Sequence, residues 1–383
     1  MRAVVTGGGV AGSASAIALA RIGADVTVYE AYADPAGPVG SHVSLAVNGL
    51  RALDALGCLP RVQTAGFPVA RQRMWSGRGK LLGDVARGRR PEDALHSVTV
   101  MRAELVTALR AAALESGAQI VTGQRLEGPS DPRTADADLV VGADGIWSAT
   151  RRALDPAAPE PAYAGLYSVS GTSDGLPDGL PRDGFNWIFA KRGVFIFLPV
   201  PDGTVWWTAQ VSAPEPPADP AAIGVAELTA LFATEARAAA VLRGATTVRA
   251  ANLGHTLKPV TRRHGGRIVL IGDAAHPVGA GQGASIAMED AVILARHLAA
   301  AGAVGAGGSS AIGGALAAFD AERQPRAGKL AKMETGNRDA KTAGPIATRM
   351  REVIMPHVFN RFYENATGWL YDFDPGTLPV TRG

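Results

Sequence analysis

Hydrophobic positions recur along this chain in two rhythms. Near the start, the apolar run "AVV" (residues 3–5) leads into glycines. Ala14, Ile17, Ala18 and Ile22 then follow at helical spacing, and "VTVY" (26–29) reads as a second strand. The strand-then-helix rhythm returns at 139–154, where Leu139, Val140 and Val141 precede a short helix carrying Arg151 and Arg152. It returns again at 268–299, where an apolar strand precedes a long helix striped by Ala287, Ala291, Leu294 and Leu298. Continuous apolar strands linked by helices predict a parallel sheet covered on both faces.

From about 160 to 250 the rhythm becomes alternating, β-branched and aromatic: "YAGLYSVSG", "FNWIFAKRGVFIFLPVPDGTVWWTAQV", "VRAANLGHTL". Pro201, Asp202 and Gly203 supply a hairpin turn between two of these runs. This predicts an antiparallel sheet inserted into the parallel one. The stretch 299–319 contains a Gly/Ser-rich loop, and helical segments rich in late aromatics (Phe359, Phe362, Tyr363, Trp369, Tyr371) follow it. Those aromatics are expected to pack among themselves, to cap a pocket or to meet a neighbouring subunit.

Bulk properties narrow the picture. A chain of 383 residues, 47% hydrophobic and 19% charged, has material for two lobes. A net charge of +3 with no Lys/Arg block points away from nucleic acid and anionic membranes. Cys58 is the sole cysteine, so an intrachain disulfide or thiolate cluster is excluded, and no metal-ligand cluster is visible. The longest apolar stretches are interrupted by Arg21, or by Glu289 and Asp290, which predicts no membrane span. A strand beginning at Ala3 leaves no room for a signal peptide, so a cytoplasmic location is expected.

The chemistry begins at the glycines. Gly7, Gly9 and Gly12 stand in G-x-G-x-x-G spacing between a strand and a helix. Gly7 permits the tight turn, Gly9 leaves room for a pyrophosphate, and Gly12 lets the helix lie close to the sheet. Free amides and the positive helix end face the anion. Glu30, ending the second strand, suits the ribose hydroxyls of adenosine and would repel a 2′-phosphate, which favours NAD or FAD over NADP.

Two further strand ends carry glycine and carboxylate together: Asp144-Gly145, and Gly272-Asp273 followed by Pro277, Gly279 and the Gly281-Gln282-Gly283 helix start. Sites spread over some 270 residues suggest one extended ligand along the carboxyl edge of the sheet. Asp273 is placed to accept hydrogen bonds from ribityl hydroxyls, and the Gly283 helix end to aim its dipole at a flavin ring or pyrophosphate.

These motifs together resemble the group A flavin monooxygenases, the para-hydroxybenzoate hydroxylase-like family of single-component FAD enzymes. Gly7 to Gly12, with Val10 and Ala11 between, and Glu30 are similar to its adenosine motif. "GADG" at 142–145, running on to Ser148 and Arg151, is similar to its central motif; "GDAAHP" at 272–277 with Gly281, Gly283, Ala284 and Ser285 is similar to its flavin-ring motif. The resemblance covers residues 1 to about 330. It implies that Arg102, in "VMRAELVTALRAAA", reaches the FAD, and that Leu126 offers backbone contacts to adenine. Asp144 either contacts the flavin or ties loops together, and His276 shapes its loop. "GSHVSLAVNGLRALDALGCL" resembles the loop and helix beside the flavin. There His42 replaces a small residue, so its imidazole is expected to hydrogen-bond substrate or flavin or to act as a general base.

The implied fold is α/β: a Rossmann-like FAD-binding domain (1–158, with part of the substrate region at about 65–100, and 256–335), an inserted antiparallel substrate sheet (159–255) and a C-terminal helical segment (336–383). Alternation sets Phe195 and Phe197, with Val205, Trp207 and Ala209, against Trp206, Thr208 and Gln210. One set is expected to face the flavin, and Phe195, Phe197, Trp206, Trp207 and Gln210 are the candidate substrate contacts.

The implied activity is insertion of one oxygen atom from O2 into an aromatic or polycyclic molecule, with NADPH or NADH as transient electron donor. No paired Arg for a substrate carboxylate is obvious, which favours a neutral, apolar substrate. A monomer or homodimer is expected. Alternatives are a Baeyer–Villiger or epoxidase variant, an FAD-dependent reductase, and a flavin-fold binding module without catalysis.

Overall fold

The computed structural model describes residues 1–34, 41–278, 281–304, 308–341 and 345–379. Its first sheet has six strands in the order 264–265, 268–270, 139–142, 2–6, 25–29, 119–121, all parallel except the first pair. The chain starts in the middle of this sheet. Arg2–Thr6 has Asp25–Tyr29 on one side and Leu139–Gly142 on the other, so the strand order reverses there and a crevice opens at the carboxyl ends. The strands are apolar because both faces are covered, one by helices and the other by the segments bearing Leu126, Ala137, Leu154 and Val260. Val10–Arg21 packs between Arg102–Glu115 and Gly283–Ala300 through small side chains such as Ala14, Ala18 and Ala291.

The second sheet has seven strands, in the order 245–256, 162–174, 204–212, 193–199, 185–190, 71–76, 81–86. Two of them come from residues 71–86, far from the rest in sequence. Strand 71–76 pairs in parallel with 185–190, and the others are antiparallel. The hairpin at Pro201, Asp202 and Gly203 forms as expected, with the Gly203 amide donating to the Val200 carbonyl at 3.0 Å. One face of this sheet is sealed by Val225–Leu231 and Ala236–Arg243, which bury Phe195, Phe197, Val205, Trp207 and Ala209 against Leu228, Phe232 and Val241. The other face carries Phe185, Val194, Ile196, Leu198 and Trp206. A small third sheet joins strands 42–45, 98–101 and 67–68.

Two expectations change. Residues 308–319 are helical, the beginning of Gly308–Lys341, because Ile312, Leu316 and Phe319 bury a stripe on the first core. Of the Gly/Ser-rich stretch, 305–307 lie outside the described residues. His42 stands in a strand, paired with Met101, and not in a loop. Among the described residues no helix is long and apolar enough to cross a membrane, and no three or more His, Cys, Asp or Glu side chains gather as a metal site.

Candidate functional site

At the crevice, Gly7 has φ +95° and donates its amide to the Tyr29 carbonyl at 2.8 Å. A Cβ on Gly12 would lie 1.8 Å from the Gly7 carbonyl oxygen, so the turn closes only with glycine there. Gly9 is different. A Cβ on it would meet only Nη2 of Arg102, at 3.9 Å, and the helix Val10–Arg21 begins beside it with no side chain capping its first amides. An open surface of free N–H groups beside a guanidinium can hold an anion.

Glu30 accepts from the Gly8 amide (2.7 Å) and the Tyr32 amide (2.8 Å), which locks its buried carboxylate beside the turn while each oxygen keeps a lone pair. The Gln124 amide donates to the Glu30 carbonyl at 2.8 Å, so the segment leading to Leu126 passes the same spot. The Leu126 side chain itself is core, packed with Val4, Ala137 and Val140.

Asp144 holds its own turn together. It accepts from Ser148 Oγ (2.6 Å) and from the Thr150 amide and hydroxyl (both 3.0 Å). Of the two expected roles this geometry supplies the loop tie. Arg151, fully buried, donates to the carbonyls of Ala274 (3.1 Å) and Ile146 (2.6 Å), and so struts the second motif against the third.

In the third motif, Gly272 (φ +55°) donates its amide to Asp290 Oδ2 at 2.9 Å. A Cβ on Gly272 would press on Ala11 at 3.0 Å and Ala287 at 3.3 Å. Asp273 is open to solvent yet ringed by protein. Desolvation pushes its carboxyl up, with Asp290 adding to this and His276 and Arg102 opposing it. Asp273 Oδ1 is 3.7 Å from where a Gly283 Cβ would sit. Pro277 and Ala284 are half-buried and Gly281 is exposed at φ +96°. The Ser285 hydroxyl is buried against Gly49, where a Cβ would crowd it, and has no partner among the described residues. Gly9, Arg102, Asp273 and Gly283 thus converge from four parts of the chain.

Behind the third motif lies a buried ion cluster that sequence reading passed over. Asp290 accepts from Arg323 Nε (2.7 Å) and pairs with His276 Nε2 (2.8 Å). Glu289 accepts from Asn48 (2.7 Å), Arg323 (2.9 Å) and Arg326 (2.8 Å). Burial opposes ionisation of Asp290, yet His276, Arg323 and the Gly272 amide hold its carboxyl well below the usual range. Burial alone would lower His276, and the Asp290 carboxylate outweighs it, so its pKa rises. The available signal was two adjacent acids inside an otherwise apolar helix.

Beside the crevice stands a group of rings around His42. The His42 amide belongs to the strand next to Met101, and the Arg102 amide donates to the Ser41 carbonyl at 3.2 Å, so His42 and Arg102 are neighbours. The His42 ring lies 5.8 Å from Trp206, nearly parallel to it, and 5.7 Å from Phe185, edge-on. Desolvation, and then the Arg87 cation, lower its pKa to about 4. It is neutral at physiological pH, a hydrogen-bonding group and a weak base.

The five candidate substrate contacts divide accordingly. Trp206 and Gln210 are on the sheet face turned towards His42, and Gln210 Oε1 is buried with no partner among the described residues. Phe195, Phe197 and Trp207 are fully buried on the far face, beneath the two helices; they are core and lie on the opposite side of the sheet from His42. The late aromatics also divide: Phe359 and Tyr371 are buried within the chain, while Phe362 is 63% exposed.

The family model described as FAD binding domain matches residues 1–334. Kynurenine 3-monooxygenase from Salinispora arenicola is 32% identical over 371 residues, covering 88% of this chain and 79% of that protein. FAD-dependent urate hydroxylase from Klebsiella pneumoniae is 30% identical over 320 residues, covering 77% and 80%. Among solved structures, a salicylate hydroxylase substrate complex superposes with a TM-score of 0.80 at 21% identity, covering 100% of this chain and 99% of the other, a likeness of fold.

Proposed function

The chain belongs to the FAD binding domain family and is a flavin-dependent monooxygenase, and from that premise we propose that it hydroxylates a small aromatic or polycyclic molecule in a cleft walled on one side by the stacked rings of His42 and Trp206. The single observation carrying this reading is the convergence of Gly9, Arg102, Asp273 and Gly283 on one crevice that adjoins an aromatic-walled cleft.

The residues fit FAD. The space above Gly9 is the cradle that a side chain would fill, and it meets unpaired helix amides and a cation suited to a diphosphate. In this reading Gly7 and Gly12 shape the turn, and Gly9, Val10, Ala11 and Arg102 hold the diphosphate. Glu30 takes the ribose and the Leu126 backbone takes adenine. Asp273 binds the ribityl chain, its loop set by Gly272 and Pro277, while Gly281, Gly283, Ala284 and Ser285 border the ring. Asp144 acts at one remove, through its loop. The inferred division is FAD binding by 1–158 and 256–335, substrate contact by 159–255 with 65–100, and closure by the C-terminal segment.

Bound FAD, reduced by NADPH or NADH, supplies the activation of O2 and the transfer of one oxygen atom. The chain supplies the rest. The helix end at Gly283 favours negative charge at the ring, the sheet face with Trp206 excludes water, and neutral His42 orients a hydroxyl of the substrate by hydrogen bonding.

The test is direct. Protein reconstituted with FAD is expected to show two-band flavin absorption, and to consume O2 on addition of NAD(P)H with a turned-over aromatic. Flavin reduction without substrate oxygenation would favour a reductase; failure to bind FAD would remove the reading.

A further inference from the structure

Arg87 follows the strand Leu81–Ala86, and its charge acts on His42. Its guanidinium carbon stands 4.1 Å over the Phe185 ring, Nη1 donates to Gln72 Oε1, and Nε reaches Ser44 Oγ at 3.4 Å. Every one of these partners is neutral. Among the described residues, no carboxylate lies within ion-pair distance of it. Four nearby arginines differ, since Arg71 and Arg73 pair with Asp84, Arg90 with Asp372 and Arg51 with Asp93, whereas Arg89 donates to backbone carbonyls.

The groups facing Arg87 from the packed elements are His42 and Ser44, Gln72, Phe185, and, from the C-terminal helix, Tyr363 and Tyr371. None compensates the charge. His42 is neutral near pH 7, and burial raises the Tyr371 phenol well above its ordinary value, so it stays protonated. Removing a cation from water without a counter-charge costs several kcal/mol on general grounds, and the same low dielectric strengthens its attraction for an anion that enters.

We propose that Arg87 is the specificity-determining residue of the cleft, and that the substrate is an aromatic molecule bearing one anionic oxygen group, a carboxylate or an acidic phenolate or enolate, which docks on this guanidinium beside His42. This rests on the monooxygenase reading and refines the expectation of a neutral, apolar substrate: the body is aromatic, with one acid on it. Arg87 can offer two N–H groups to such an oxygen pair while keeping its face on Phe185.

The experiment uses FAD-loaded protein and paired probes: benzoate with benzamide, salicylate with salicylamide, and anthranilate with anthranilamide. Flavin absorbance changes give the affinities in wild type, Arg87→Gln and Arg87→Lys. In wild type, at least one acid is expected to bind about tenfold or more tighter than its amide, as for a hydrogen bond to a charged group. Arg87→Gln should bring the pair to near equality with amide affinity and FAD content unchanged, and Arg87→Lys should recover part of the preference. The proposal is overturned if no acid is preferred to its amide in wild type, or if Arg87→Gln keeps the preference. FAD content and NAD(P)H-driven O2 uptake of the same wild-type sample report separately on the parent reading. Arg87→Lys, with its charge retained, guards against loss of fold in Arg87→Gln.

Discussion

The Gly272 amide donates to Asp290 Oδ2 at 2.9 Å, and this one bond fastens the loop bearing Asp273 to a helix whose other acid, Glu289, is held by Asn48, Arg323 and Arg326. The loop bearing Asp273 is therefore anchored from behind by a buried charge cluster. Such a cluster is expensive to build and more expensive to break, since each lost partner strands the others.

Replacing Asp290 with Asn should accordingly lower stability by about 3–5 kcal/mol, the usual effect of breaking a buried pair. It leaves Arg323 facing an amide and removes the carboxylate that raised His276, whose pKa should then fall. Urea unfolding of the FAD-loaded protein measures this; a loss below about 1 kcal/mol would mean that the cluster is not the anchor.

Gly9 and Gly12 should separate by phenotype. Gly12→Ala drives a Cβ into the Gly7 carbonyl and is expected to destabilise the protein with or without FAD. Gly9→Ala meets only ordinary contact at 3.9 Å, so it should fold normally and lose FAD affinity. The check is flavin absorbance per protein alongside thermal unfolding of both forms.

His42 should titrate near pH 4. Burial and the Arg87 cation both penalise its protonated form, so the folded value lies below the ordinary 6.5 of the unfolded chain. Stability is therefore undiminished by this group above about 6.5 and falls as pH drops from there towards 4, where the unfolded chain binds the proton first. Imidazole NMR of labelled protein gives the midpoint, which should rise in Arg87→Gln. His42→Ala should slow substrate oxidation without releasing FAD.

The two tryptophans of the hairpin should behave oppositely. Trp207→Ala opens a cavity in a fully buried layer and is expected to cost about 3–5 kcal/mol. Trp206→Ala, on the cleft face beside His42, should leave most of the stability and alter KM or kcat. Denaturant curves and steady-state kinetics on the same two variants decide it.

Local pattern was enough for much of this molecule. The glycine spacing at Gly7, Gly9 and Gly12 fixes a turn within a few residues, and the buried runs at 3–5, 139–141 and 268–270 declare a covered parallel sheet, because backbone sterics and hydrophobic periodicity act over short sequence distances. The alternation of 185–212 likewise announced strands with two faces. It could not say which face was which. That was decided by Val225–Leu231 and Ala236–Arg243, which fold back over Trp207 and leave Trp206 to the cleft.

The same holds for charge. Arg87 reads in sequence as one arginine among several in "ARGRR", and Glu289 and Asp290 as interruptions of an apolar helix. Whether an ion is paired depends on what is brought within about 4 Å of it. Glu289 finds Asn48 from 241 residues away, while Arg87 finds only neutral partners among the described residues. The short-range order of the chain therefore specified the elements and the glycine turn, and tertiary packing alone assigned the buried face, the anchored loop and the neutral partners of Arg87, since each is set by contacts between segments remote in sequence.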